Sequence, residues 1–344
     1  MAEPIVTIIV VPRERFSCAS ASLESVYEHT EIPFKLLYID GNSPKELKSY
    51  LEHESQTKGF KILRTDHYLY PNQARNLGIQ NSDTKYIVFV DNDVLVSPGW
   101  LKALVECAEE TEATVVGPLM CQHEPIHHEI HFAGGESHVW VDKLGRRRLR
   151  EKMLHQGKRV DEMRSKLSRE LTELAEFHCV LVRRSIFDEI GLLDQDMLNT
   201  KEHLDFCMTV RESNGTVYFE PSSLVTYLPG PPQNLADIHY YMLRWSNAWT
   251  LASLHRLRDK WNLAEDAYFT TKYQKLGWRR KMTLITPIIF KLTFGLYSPK
   301  LEKVMVWVEK HVNQYLTRRH GLVQQQYDQT QSTSPERLTA LSGR

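Results

Sequence analysis

The stretch Tyr86-Ile87-Val88-Phe89-Val90-Asp91-Asn92-Asp93 sets what this chain can fold into. Five successive β-branched or aromatic residues read as a strand buried on both faces, the kind a parallel sheet needs. The run then stops on two carboxylates flanking an amide. In an open α/β sheet, ligands sit beyond the carboxyl ends of the strands, so Asp91 and Asp93 stand where chemistry is expected. The strand period of two turns both side chains to one face. Carboxylates that close repel each other unless a cation lies between them. Oxygen donors of this kind suit Mg²⁺ or Mn²⁺, with diphosphate oxygens completing the shell. A polar strand-end turn is the plainer alternative, and only the surrounding motifs decide between the two.

The flanking segments repeat the strand–helix alternation. Val6 to Val11 is a second apolar strand, stopped by Pro12, and residues 17–29 carry Ala19, Leu23 and Val26 at helical spacing. Phe34 to Ile39 is a third strand, ending in the turn signal Asp40-Gly41-Asn42-Ser43-Pro44. A helix over 45–53, a short strand over 60–63, a short helix from Asn72 ending at Gly78, a helix over 99–110 and a strand over 113–116 follow. The alternation predicts an α/β fold with a mostly parallel, doubly wound sheet and right-handed crossovers. Residues 1–118 form its first half and 119–232 its second.

The second half opens on a histidine- and glycine-rich stretch with Cys121, His123, His127, His128 and His131. No second Cys/His pair stands at a fixed distance, so lining a cleft or decorating a loop is expected rather than holding zinc. The charged segment about 146–176 has Met153, Val160, Met163, Leu167, Leu171 and Leu174 at spacings that predict an inserted, solvated helical arm. A strand over 177–182, a helix over 200–213 and two strands within 216–228 complete the half. Pro229-Gly230-Pro231-Pro232 marks a boundary. A helical, aromatic and basic region over 233–323 comes next, and 324–344 is polar enough to be a disordered tail.

Forty-three basic residues balance forty-three acidic ones, which excludes a nucleic-acid binder with a broad basic face. Five scattered cysteines with no Cys-x-x-Cys pair read as reduced thiols. Met1 to Pro4 run directly into a strand, and no apolar window reaches the roughly eighteen residues of a membrane span. The expected location is therefore cytoplasmic.

With these motifs in order, the chain resembles the inverting glycosyltransferases of family 2, whose fold is GT-A. Val11-Pro12-Arg13 matches the family's first strand end, and Asp40-Gly41-Asn42-Ser43 its second. Asn72 to Gly78 matches its Asn-x-x-x-Asn-x-Gly helix, Asp91-Asn92-Asp93 its Asp-x-Asp, and Arg183 to Asp194 its acceptor-side segment. The resemblance implies a nucleotide-diphosphate sugar (UDP-, GDP- or TDP-linked) as donor and Mn²⁺ or Mg²⁺ as cofactor. Its acceptor would be a glycan, a lipid-linked glycan or a small molecule, with no nucleic acid as partner. It assigns the metal to Asp93 and Asp91, the base and ribose to Pro12, Arg13, Glu14, Asp40 and Asn42, and the diphosphate surroundings to Arg75 and Asn92. A turn-forming Asp40 and a helix-surface Arg75 are the plainer alternatives.

An inverting transfer needs a base on the far side of the sugar from the leaving group. The family supplies it from a Glu-Asp-x-Asp segment, and this chain has Glu202-His203-Leu204-Asp205 there. The histidine stands where the basic aspartate is expected. Glu202 is the first candidate, His203 a competent second, and Asp205 an orienting or capping carboxylate. Tyr227 replaces a histidine metal ligand found after the family's last strand, so His178 or a histidine of 123–131 would have to stand in. These departures keep open a weak or inactive relative that binds glycan or protein. A nucleotidyltransferase is disfavoured, because no glycine-rich, lysine-bearing loop follows the first strand.

Tyr241 to Trp245 echoes the Gln-x-x-Arg-Trp motif of processive relatives without its glutamine, and an aromatic core stripe explains it better. The basic residues of 272–281 beside the apolar run 282–297 suit a membrane-surface helix. Burial, or a homodimer through the C-terminal helices, would explain the same residues.

Overall fold

The computed structural model describes residues 3–333. Its centre is a ten-stranded mixed sheet whose strands lie in the order 170–172, 217–227, 115–122, 179–183, 86–91, 6–11, 35–41 and 61–65, with 94–96 and 129–132 paired to the second and third of these. β1 (Val6–Val11), β2 (Lys35–Gly41), β3 (Lys61–Thr65) and β4 (Tyr86–Asp91) run parallel, and β1 and β4 at the centre carry the near-continuous apolar sequences that burial on both faces requires. They are joined through α1 (Ala19–His29), α2 (Lys45–Lys58) and α3 (Pro71–Gln80). After β5 (Val94–Val96) and α4 (Trp100–Glu110), β6 (Val115–Gln122) leads to β7 (Glu129–Phe132). β11 (Cys179–Arg183) runs antiparallel between β4 and β6.

α3 does not stop at Gly78. It runs on to Gln80, and a Cβ on Gly78 would lie 2.5 Å from Cγ2 of Ile9, so the glycine lets α3 approach β1 closely.

The largest departure from expectation lies at 146–176. Instead of opening a helical arm, β9 (Arg147–Met153) pairs with the preceding β8 (Gly135–Val141) in an antiparallel hairpin. A one-turn α5 (Val160–Met163), a 3₁₀ turn and the edge strand β10 (Glu170–Thr172) follow. The apparent helical spacing spanned several short elements. The period-two run Leu149-Glu151-Met153 was the true signal, and cross-strand pairs such as Glu136 with Arg150, 2.6 Å apart, complete the hairpin.

α6 (Ile186–Ile190) and α7 (Glu202–Glu212) precede β12 (Val217–Tyr227). The two expected strands of 216–228 are this one strand: Pro221 sits in an irregularity between Glu220 and Leu224, after which pairing with β6 resumes. The C-terminal region comprises α8 (Leu235–Arg244), α9 (Asn247–Lys260), α10 (Ala267–Gln274), α11 (Trp278–Arg280), a π-helical turn at Lys281–Ile285, α12 (Thr286–Leu292) and α13 (Pro299–Thr333). α13 carries helix through 324–333, the described part of the stretch expected to be a disordered tail, while 334–344 lie outside the described residues. No described helix is long and apolar enough to cross a membrane.

The proline boundary does not separate the C-terminal helices from the sheet. Buried Asp237 on α8 accepts from Phe16 N at 2.7 Å, and Tyr240 stacks between Phe16 and Tyr68. Trp249 on α9 packs on Tyr70, as expected of an aromatic core stripe.

Candidate active site

The site forms where β4 ends beside β11. In their antiparallel register Val90 faces Cys179, and the next rung is held by Asp91 N donating to His178 O at 2.9 Å. That pairing brings the His178 side chain to the two aspartates. One ligand atom from each of Asp91, Asp93 and His178 lies within 4.8 Å of the other two, and all three residues are buried. His178 Nδ1 stands 3.0 Å from Asp91 Oδ2. Both carboxylate oxygens of Asp93 are buried without a hydrogen-bond partner.

Burial, Asp91 and Glu14 hold the Asp93 carboxyl well above its usual range. Burial also raises Asp91, against the pull of Arg75 and Arg13. Burial lowers His178, which is therefore a neutral imidazole free to donate a lone pair. The unpartnered Asp93 carboxyl, Asp91 Oδ2 and a neutral imidazole, all buried, fit a divalent cation that accepts oxygen and nitrogen donors. Among the described residues no other group of three such side chains is placed to hold a metal.

Around this cluster stand four guanidiniums. Arg75 is fully buried and donates to Asp91 Oδ1 at 3.2 Å, so it is not the helix-surface charge of the plainer reading. Arg13 lies 3.4 Å from Asp91 Oδ2. The Glu202 Oε1 atom faces three of them: Arg244 Nη2 at 3.5 Å, Arg13 Nη1 at 3.6 Å and Arg75 Nη1 at 3.9 Å. The fourth, Arg279, packs 3.9 Å over the Trp245 ring and lies 3.3 Å from Glu14. Glu14 also accepts from the Tyr227 hydroxyl at 2.7 Å. Tyr227 is thus turned to Glu14, with its ring stacked on His178 at 4.0 Å.

His203 follows Glu202 at the start of α7, buried, with Nε2 3.4 Å from Glu176 Oε1. Burial and Lys201 lower the imidazole well below its ordinary value. Burial pushes Glu176 up to about 7. Asp205 is turned elsewhere: its oxygens accept from Trp261 Nε1 and Lys260 Nζ, each at 2.8 Å. A cavity of about 350 Å³, lined by Thr200, Lys201, Trp245, Lys272, Trp278 and Arg279, opens beside the N-terminus of α7.

The remaining candidates hold the loops. Asn92 Oδ1 accepts from Arg13 N at 2.9 Å and Asn92 Nδ2 donates to Arg15 O at 3.1 Å, which fastens the end of β1 to the end of β4. The Pro12 carbonyl accepts from Tyr240 OH. Asp40 accepts from Ser43 N at 2.8 Å and pairs with Arg64, and Asn42 takes the left-handed conformation of that turn, φ 62°. The histidines of 123–131 do not gather. His127 bonds Thr226, whereas His131 bonds Gln122 and lies 5.7 Å from His178.

Glu176, Arg244 and Arg279 are the residues that sequence reasoning did not assign to the site. A period-two reading of Glu176-Phe177-His178 puts the glutamate on the same face as His178. Arg244 lies in the Tyr241–Trp245 stretch that echoes the Gln-x-x-Arg-Trp motif, a signal set aside there in favour of an aromatic core stripe, whereas no spacing signal marks Arg279; both reach the site because the C-terminal helices fold back over the sheet.

The family model of Glycosyl transferase family 2 matches residues 7–191. A Sinorhizobium fredii protein described as uncharacterized protein y4gI is 22% identical over 219 residues, 60% of this chain and 23% of its own length. Hyaluronan synthase of Pasteurella multocida is 26% identical over 115 residues, 33% of this chain and 12% of that protein. Pre-mycofactocin glycosyltransferase of Mycobacterium tuberculosis is 23% identical over 168 residues, 48% of this chain and 32% of that one. These matches span a third or less of the relatives' lengths. Among solved structures, that of GalNAc-T7 with UDP, GalNAc and Mn²⁺ superposes with a TM-score of 0.50 at 19% identity, covering 79% of this chain and 58% of the other. The likeness is one of fold, GT-A. With more than half of its length matched by the family model, the chain belongs to glycosyl transferase family 2.

Proposed function

We propose that this protein moves a sugar from a nucleoside diphosphate donor to an acceptor hydroxyl with inversion, using a divalent cation held by Asp91, Asp93 and His178. The buried, unpartnered carboxylate of Asp93 at the C-terminal end of β4 carries the reading. Mn²⁺ or Mg²⁺ there would neutralise the charge that grows on the leaving diphosphate. Arg13 and Arg75 hold Asp91 in place, and Arg13 is open enough (14% exposed) to meet a phosphate oxygen as well. The nucleoside lies over the ends of β1 and β2, between Pro12 and the Asp40–Ser43–Arg64 group.

His203 is the base in this reading, and Glu202 the anchor. Glu202 has one oxygen facing three guanidiniums, an arrangement that fixes the start of α7. His203 is neutral and so able to take the acceptor's proton, while Glu176 behind it balances the charge the imidazole gains. The acceptor enters through the cavity beside α7, where exposed Trp278 offers a stacking face to a sugar. The GalNAc-T7 structure holds UDP and Mn²⁺ on the same fold, which supports the choice of donor and ion.

Incubation with UDP-, GDP- and dTDP-sugars, reading released nucleoside diphosphate and the anomeric configuration of the product, tests this. The expected result is Mn²⁺- or Mg²⁺-dependent release with inversion, lost in Asp93→Asn. Retention of configuration, or release that ignores chelator, would refute it. Normal transfer by His203→Ala with loss in Glu202→Gln would return the base to Glu202.

A further inference from the structure

Beyond the site, α12 and α13 present an apolar surface that no other described residue covers. At the turn between α12 and α13, Phe294 is 99% exposed, Leu296 73% and Tyr297 55%. Val304, Val308 and Val312 continue the exposed surface along α13 at four-residue spacing, which puts them on one stripe. The same three valines line an open groove against Leu284 of the π-helical turn and Met242 of α8. Contiguous exposed apolar surface on this scale marks an interaction site.

Charge says what the surface meets. Between residues 272 and 323 stand eleven lysines and arginines against two acidic residues, in a chain of net charge +0. Both acids are already neutralised, Glu302 by Lys281 at 2.9 Å and Glu309 by Arg280 at 2.6 Å. Lys275, Lys291, Lys300, Lys303, Lys310 and the Arg318–Arg319 pair are exposed and make no ion pair among the described residues. Lys291 and Lys300 flank the Phe294 turn directly. A second copy of the chain would bring two such cationic faces together, which like charge opposes. An anionic bilayer satisfies both components, taking the apolar turn at the acyl boundary and the lysines among its headgroups.

We propose that α12, the turn at Phe294 and α13 form a docking face for an anionic lipid surface, on which the protein rests without spanning it. Co-sedimentation of the full chain with vesicles tests the proposal independently of the catalytic reading. The protein is expected to pellet with phosphatidylcholine–phosphatidylglycerol vesicles, to stay in solution with phosphatidylcholine alone, and to be released by raised salt. Phe294→Ser with Leu296→Ser lowers partitioning about tenfold or more, and Lys291→Glu with Lys300→Glu does the same. These side chains are solvent-exposed, so the thermal melts of both variants stay at the parent value. No pelleting with either vesicle, or pelleting indifferent to lipid charge, overturns the proposal. So does a dimer, seen by light scattering without lipid, that Phe294→Ser with Leu296→Ser splits.

Discussion

Asp93 lies buried beside Asp91 and Glu14 with neither carboxylate oxygen bonded, an arrangement a folded protein tolerates when something else completes it. Replacing it by the near-isosteric asparagine removes a group that in the metal-free protein must either carry a buried charge beside like charges or take up a proton. Asp93→Asn should therefore raise the stability of the metal-free protein by about 1–3 kcal/mol in a denaturant titration while removing Mn²⁺-dependent nucleotide binding. A variant equally stable and still Mn²⁺-dependent would show that Asp93 is no ligand. At His203, alanine should cost about 10²–10⁴-fold in transfer, whereas aspartate, the residue expected from the family motif, should restore much of it. Because burial holds this imidazole below its ordinary value of 6.5, it stays unprotonated into mild acid, and the acid limb of kcat/KM should fall below pH 6.5. Histidine 131 gives a stability signature. Burial and the nearby Arg13 and Arg279 lower it to about 4, so below pH 6.5 the unfolded chain binds a proton that the folded one refuses. Its contribution is present above 6.5 and is lost as pH falls toward 4. Wild type should lose about 1–2 kcal/mol more than His131→Asn between those limits, measured by denaturant unfolding at each pH.

At the scale of elements, sequence was most legible where burial leaves one choice. The largely apolar runs at Val6, Phe34 and Tyr86 had to be parallel core strands, and the Asp-x-Asp at the end of the third pointed to the candidate site. It failed where short elements share a charged surface. In 146–176 the apolar residues from Met153 to Leu174 imitate a helical period only because they belong to different elements, and the β8–β9 hairpin is held by cross-strand ion pairs. Gly78 was legible as a glycine needed at that place but not for its reason, since contact with Ile9 is made across the fold. Gly78→Ala should cost about 1–3 kcal/mol by pushing α3 off β1, seen as a lower denaturant midpoint. A change within about 0.5 kcal/mol would show that the two elements slide apart freely.

On the scale of the whole molecule, the C-terminal helices complete the site rather than follow it. Arg244 and Arg279 come from beyond the proline-rich boundary, and Asp237 fastens α8 to the loop after β1. Proline-rich composition reports that the chain turns, not that its two sides are independent, which is why the motif echo at Arg244 was read as core packing and Arg279 went unmarked. Asp237→Ala strands the buried Phe16 amide without an acceptor and should lower global stability by about 1–3 kcal/mol in one cooperative transition. Two separate transitions in calorimetry would show instead that the helices fold apart from the sheet. The central claim is that the end of β4 binds a nucleoside diphosphate through a divalent cation. The most direct test is the melting temperature of wild type and Asp93→Asn with UDP, GDP, CDP and dTDP, each with Mn²⁺, Mg²⁺ or EDTA. A ligand that binds only the folded state raises the melting point by mass action. The account predicts a shift with one nucleotide that requires the metal and vanishes in Asp93→Asn. A shift that survives EDTA, or one that Asp93→Asn leaves intact, would contradict it.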